Sequence, residues 1–194
     1  MPVFLIYLYF SMDDIKDRLG DYKYNFFTTL QNYIDSELLF FGSIKRFDFF
    51  PNSSDIDIII ITDNVDEMIK KVRDYLQLNK TEIKKIYQRF SKNSGGVITG
   101  YKIKYNDPTN DCAFDLLIYD EKYREVVTQN INDINNMAPY MVAVLYIIKY
   151  VYYRLGLITN SMYLYLKNAL FHMYFTGTLL YKKEFSQTII VDNS

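Results

Sequence analysis

Cysteine and histidine are nearly absent from this sequence. Cys112 is the single cysteine and His172 the single histidine among 194 residues. One thiol cannot close an intramolecular disulfide, which points to a reducing, cytoplasmic setting. One thiol and one imidazole cannot supply the ligands of a structural zinc site. An excess of one charge is missing too, since 22 Lys and Arg face 23 Asp and Glu. That balance excludes a chain that coats nucleic acid over its whole surface, and leaves a local basic patch open. No tryptophan, internal repeat or low-complexity segment is present. The stretch PVFLIYLYF at residues 2–10 has neither a basic leading segment nor a small-residue cleavage site. It also falls far short of the roughly 20 residues that cross a bilayer. It reads as a strand or an apolar arm, not a signal peptide.

What is present is apolar and aromatic. Hydrophobic residues make up 49% of the chain, with 20 Tyr and 14 Phe. A sizeable core follows, in one domain or in one domain with a helical appendage. Ser11 is a good N-cap for a helix from Met12, with an apolar stripe at Ile15, Leu19, Tyr22, Phe26, Leu30 and Ile34 that Gly20 weakens. Leu38 to Phe41 reads as a short strand running into Gly42-Ser43. Asp55 to Thr62, DIDIIIIT, reads as a strand apolar enough to be covered on both faces. Asn64 caps the next helix, with Glu67 as capping-box partner and Val65, Met68, Ile69, Val72, Tyr75 and Leu76 on its buried face. Thr81 to Phe90 and Val97 to Tyr105 are strand-like, joined by a turn at Asn93 to Gly96. Residues 106–111 form a second turn before the strand Cys112 to Tyr119. The order predicts an α+β fold with a mixed sheet.

Beyond Ala138 the chain is helical and apolar. One helix has Pro139 in its first turn and Gly156 as its C-cap, and a second runs from Ser161 to Phe175. Both are short and carry a lysine, and the loop between them is tight, so they do not read as a transmembrane hairpin. Thr188 to Val191 is a short apolar run in a polar tail. His172 reads as a hydrogen-bonded core residue, Cys112 as a small core residue, and the tyrosines of these helices as packing.

Two constellations carry chemistry. Residues i and i+2 of a strand share a face, so Asp55 and Asp57 project together. Two carboxylates at the head of a stiff β-branched strand suit a divalent cation better than a core. Upstream, Gly42 lets backbone approach a phosphate, Ser43 adds a hydroxyl, and a following helical turn offers free N–H groups. Lys45 and Arg46 are placed to meet phosphate oxygens. The second constellation is Asp115, alone in the apolar strand FDLLI. It either joins Asp55 and Asp57 around a pair of metal ions or pairs with a nearby lysine.

Gly42-Ser43, Asp55-Ile56-Asp57 and Asp115 together resemble the nucleotidyltransferase fold of the DNA polymerase β superfamily, over about residues 25 to 120. The resemblance implies a catalytic domain at residues 1–130 and a helical module packed on it at 131–194. It implies that Asp55, Asp57 and Asp115 hold two Mg²⁺ or Mn²⁺ ions and that Gly42 and Ser43 hold the phosphates of an NTP, with ATP as a candidate. Asp115 would help activate an acceptor hydroxyl. The C-terminal helices resemble the module that follows the catalytic domain in poly(A) polymerases and oligoadenylate synthetases. That likeness maps triphosphate contacts onto Lys149 and Ser161. The implied reaction is template-independent transfer of NMP to an acceptor hydroxyl, with an RNA 3′ end leading. A protein hydroxyl is the rival, and a catalytically silent scaffold subunit the reading from another class.

Physical chemistry speaks to Lys149 directly. An ammonium inside an apolar helix needs a partner, either a bound phosphate or solvent reached along its own stem. Lys80, Lys84, Lys85, Arg89, Lys92, Lys102 and Lys104 against Glu82 make a basic face on the hairpin. It could meet an RNA or DNA backbone, or simply keep a strand face soluble. The apolar arm and the tyrosine-rich helices leave spare hydrophobic surface for a homodimer.

Overall fold

The isoleucine run forms an interior strand, Ile56–Thr62 (β2). In the computed structural model, which describes residues 12–79, 82–88 and 97–175, two strands flank it. Leu39–Phe41 (β1) pairs with it antiparallel, and Cys112–Asp120 (β5) pairs with it parallel. Ile98–Asp107 (β4) and Ile83–Gln88 (β3) extend the sheet antiparallel, in the order β1-β2-β5-β4-β3. Ile56 and Ile58 to Ile61 are all buried because β2 is covered on both faces, so its sequence runs apolar instead of alternating. The sheet is mixed and the fold α+β, as the element order predicts.

One face of the sheet carries Met12–Ile34 (α1) and Val65–Leu76 (α2). Ile15, Leu19, Phe27, Leu30 and Ile34 of α1 pack with Met68, Val72 and Leu76 of α2 on Ile58, Ile60, Leu116 and Ile118. Gly20 at φ +72 breaks the helical path of α1. The buried stripe changes phase there, which corrects the sequence reading: Tyr22 is 46% exposed and Phe27 is fully buried. The Asn64 cap forms as expected, but the box does not close on the backbone, because the Asn64 N–H donates to Thr62 Oγ1 at 3.2 Å and Glu67 meets the Asn64 side chain instead. Asn64 Oδ1 accepts from the Glu67 N–H at 3.2 Å and Asn64 Nδ2 donates to Glu67 Oε2 at 3.0 Å.

The opposite face is covered by Arg124–Asn135 (α3), whose Val127 and Ile131 meet Ile59, Ile61, Leu117 and Tyr119. This helix has no counterpart in the sequence reading, because REVVTQNINDIN shows few apolar positions. Pro139–Tyr153 (α4) and Asn160–Phe175 (α5) form a hairpin around Met137, Met141, Val142, Leu145 and Leu170. No described helix is long and apolar enough to cross a membrane. Cys112 is buried in the core, and burial pushes its thiol up to about 11. The apolar arm at residues 2–10, Ser11, Lys80, Arg89, Lys92, the turn at Asn93 to Gly96, the His172 side chain and Thr188 to Val191 lie outside the described residues.

Candidate functional site

Register brings the two predicted constellations together. Asp57 of β2 stands directly beside Asp115 of β5 in the parallel ladder, so both carboxylates project from one face. Asp55 lies two residues before Asp57 and is exposed. This is the face that α3 covers lower down at Ile59 and Leu117. The carboxylates sit one step beyond the cover, at the strand ends. On the other side of β2, Phe41 pairs with Asp57, and the chain then turns through a 3₁₀ turn at Gly42–Lys45. Gly42 has φ +76, and a Cβ on it would lie 3.0 Å from Asp57 Oδ2. A glycine is required at that step both for its backbone and for the room it leaves the carboxylate.

Electrostatically Asp57 is under-compensated. Burial pushes the Asp57 carboxyl up to about 6; the field of Lys167 on α5 opposes this, Asp115 and Asp55 add to it, and Lys102 opposes it. Asp115 has a lysine partner, the second of the two roles its sequence context allows. Lys102 Nζ lies 2.8 Å from Asp115 Oδ2 and Lys104 Nζ 3.8 Å from the same atom. Among the described residues no group of three or more His, Cys, Asp or Glu is drawn together as a metal cluster. The Asp115 carboxylate is held by Lys102 and Lys104 instead. The donors nevertheless fit a hard divalent ion. They are all carboxylate oxygens, two of them in register, with the Asp57 charge disfavoured by burial and by its acidic neighbours Asp115 and Asp55.

Arg46 and Lys149 come together away from the carboxylate pair, on a residue the sequence reading did not single out. Asp48 is completely buried. Arg46 donates to it twice, from Nε to Oδ1 at 2.9 Å and from Nη2 to Oδ2 at 3.1 Å. Lys149 Nζ lies 3.0 Å from Asp48 Oδ2 and donates to the Asp48 carbonyl at 2.9 Å. Burial pushes Asp48 up, but Arg46 and Lys149 outweigh it and hold the carboxyl below its usual range. Lys149, 5% exposed, does not reach solvent along its stem; its partner is a carboxylate. Arg46, expected at phosphate oxygens, points inward because a buried Asp48 needs it.

The same hub braces the glycine-serine turn. Arg46 Nη1 donates to the Ile134 carbonyl on α3 at 3.1 Å, and Asn135 Oδ1 accepts from the Gly42 N–H at 2.9 Å. Arg18 of α1 donates to the Ile44 and Arg46 carbonyls at 2.8 and 2.6 Å. Ser43 is buried in this turn. Ser161 sits exposed in the first turn of α5. Tyr153 of α4 feels Asp55: burial pushes its phenol up, a hydrogen bond with Tyr163 adds to that, and the Asp55 charge adds further. Tyr153 at the end of α4 and Lys167 in the middle of α5 thus lie within the field of Asp55 and Asp57, whereas Lys149 is bound to Asp48.

Asp48, Asn135 and Lys167 are the participants that sequence reasoning passed over, and Lys102 was read only as part of the basic hairpin face. Asp48 had a signal, since a carboxylate between Phe47 and Phe49 invites the argument applied to Asp115. Asn135 had none, because a polar residue at a helix end is ordinary.

Residues 25–97, less than half of the chain, match the nucleotidyltransferase domain family. No curated protein matches the chain. Among solved structures, a chain in one titled "structure of GLD-2/RNP-8 complex" is similar at 16% identity and a TM-score of 0.39. That likeness covers 76% of this chain and 55% of the other, so this chain spans only about half of its neighbour's length. The matched segment holds Gly42, Ser43, Asp55 and Asp57, and the mixed sheet adds Asp115 beside Asp57. Residues 25–97 are thus similar to a nucleotidyltransferase domain, within an α+β fold built on a mixed five-stranded sheet.

Proposed function

We propose that this chain is a metal-dependent, template-independent enzyme that transfers NMP from an NTP to an acceptor hydroxyl, an RNA 3′ end above all. ATP is the first donor to test. The observation that carries the reading is Asp57 in register with Asp115, with Gly42 leaving room at Asp57 Oδ2. Asp55, Asp57 and Asp115 would hold Mg²⁺ or Mn²⁺, which supplies charge neutralisation at the triphosphate and a lower pKa for the acceptor hydroxyl. The turn at Gly42 and Ser43, held from α1 and α3, orients the β- and γ-phosphates. Asp115 takes the acceptor proton, the acceptor oxygen attacks the α-phosphorus in line, and the bond to the β-phosphate breaks to release pyrophosphate. Ser161 and Lys167 face the triphosphate from α5, and Lys149 and Arg46 act on it indirectly by holding Asp48. We assign residues 1–130 to catalysis and 131–194 to this helical side.

The test is incubation with each labelled NTP, Mg²⁺ or Mn²⁺, and an RNA primer. Primer extension lost in Asp57→Ala supports the proposal, and label on protein moves the acceptor to a protein hydroxyl. A second reading, a silent nucleotidyltransferase-like subunit, is favoured by Lys102 standing on Asp115. Absence of both transfer and metal-dependent NTP binding would leave that one.

A further inference from the structure

The face that holds the carboxylates does not end at Asp115. In the ladder Asp115 pairs with Lys104 of β4, and Lys102 of β4 pairs with Lys84 of β3. Directly paired residues share a face, as do residues i and i+2, so Asp57, Asp115, Lys104, Lys102 and Lys84 all project on one side. With strands about 4.8 Å apart, the lysines start one strand from Asp115 and extend to the sheet edge. Lys104 is 73% exposed at its side chain and Lys84 is exposed, whereas Lys102 is 19% exposed where it leans on Asp115. The remaining described residues of β3 and β4 on this face are Ile86, Gln88, Ile98, Gly100 and Asn106, none of them acidic. The acids that flank β3 and β4 in sequence, Glu82 and Asp107, are engaged elsewhere. Glu82 accepts from the Asn79 N–H at 2.7 Å, and Asp107, on the opposite face, accepts from Asn110 and Thr109 in its own turn.

A cationic row that begins at a catalytic carboxylate and runs outward without an acid matches a chain of phosphodiesters, not an average protein surface. We propose that Lys104, Lys102 and Lys84 form the track on which the phosphates of a single-stranded nucleic-acid acceptor lie, delivering its 3′ hydroxyl to Asp115. This rests on the proposed transferase reading for its chemistry, but the binding it requires needs neither NTP nor metal. The strand approaches from the β3 edge, and Lys102 exchanges the Asp115 carboxylate for a phosphate when the site fills.

The test is anisotropy of a fluorescein-labelled oligoadenylate, in EDTA and without NTP, at several salt concentrations. A matched deoxyoligonucleotide forms the second arm and separates RNA from DNA. Lys84→Glu/Lys104→Glu should weaken binding about ten-fold near physiological salt and flatten the log–log salt slope by about 0.7 per lysine. Lys84→Gln/Lys104→Gln should show the same slope change with a smaller loss, and Lys70→Glu, exposed on α2 across the sheet, should bind as wild type. Circular dichroism of each variant establishes that the fold is intact. Wild-type protein that binds neither strand, or a double charge reversal that binds as tightly as wild type, overturns the track. Transfer to protein that ignores the double reversal also overturns it while leaving the transferase reading standing. A chain without transfer that still binds RNA through these lysines keeps the track and loses the enzyme.

Discussion

Asp48 and Asp57 are close in sequence and opposite in electrostatic design. Asp48 is fully buried and held by two cations, Arg46 and Lys149, so its carboxyl sits below the usual range. Asp57 is half-buried beside Asp115 and Asp55, and its carboxyl is pushed up to about 6. Lys102 leans on Asp115 instead, and the field of Lys167 offsets only part of the effect of burial. A carboxylate matched by cations from α4 and from its own loop is architecture, tying a helix to a turn. A carboxylate whose charge burial and two acidic neighbours disfavour suits the proposed role of receiving positive charge brought from outside. The cost of the second arrangement is borne by the fold, and the first helps the fold bear it.

Neutralising each acid breaks the comparison most sharply. Asp57→Asn should lower NMP transfer by roughly 10³-fold or more in single-turnover assays. The same change should raise the unfolding midpoint of the metal-free protein near neutral pH, because it removes a charge the fold disfavours. Asp48→Ala should do the reverse to stability. It strands the Arg46 and Lys149 cations in a buried site, at a cost of about 3–5 kcal/mol in urea denaturation. An Asp48→Ala protein as stable as wild type would show that the hub is not structural.

Glycine gives a smaller contrast. At φ +76, Gly42→Ala costs about 1–2 kcal/mol in backbone strain, and Gly156 at φ +62 should cost the same. Only at Gly42 would the new Cβ meet a carboxylate, since nothing lies within 4 Å at Gly156. Gly42→Ala should therefore lose transfer as well as stability, and Gly156→Ala stability alone. Equal transfer by the two variants would detach Gly42 from the site.

The carboxylate pair was legible in the sequence because each half breaks a local rule. Asp-Ile-Asp opens an isoleucine strand, and Asp115 interrupts an apolar one. Their meeting follows once β5 is laid beside β2. The Asn64 cap and the meander were legible for the same reason, since caps and turns are local chemistry. The hub was not, because Lys149 and Asp48 meet only after α4 packs on the turn, and periodicity carries no information about which buried charges pair. Helix α3 escaped because a helix that buries only Val127, Thr128 and Ile131 has almost no stripe. The partner chosen by Asp115 was open for a different reason: a lysine in register and a metal ion answer the same electrostatic need.

The pH dependence of stability tests the comparison with the smallest effect and without any substitution. Asp57 has a folded-state pKa of about 6 against an ordinary value of 3.8, so between these the folded protein holds a proton that the unfolded chain has lost. Metal-free stability should then rise by about 1–2 kcal/mol as pH falls from about 7.5 to about 5. Asp48 has the opposite sign. Its folded pKa lies below the ordinary 3.8, so the stability it provides is full above that value and is lost as pH falls through the lower one. Urea midpoints measured in EDTA should therefore climb on mild acidification and drop below about pH 4. Asp133, raised by burial, adds a little to the climb. In Asp57→Asn most of the climb should vanish while the acid drop stays. A climb of undiminished height in that variant would place the disfavoured charge elsewhere and remove the electrostatic distinction between the two acids.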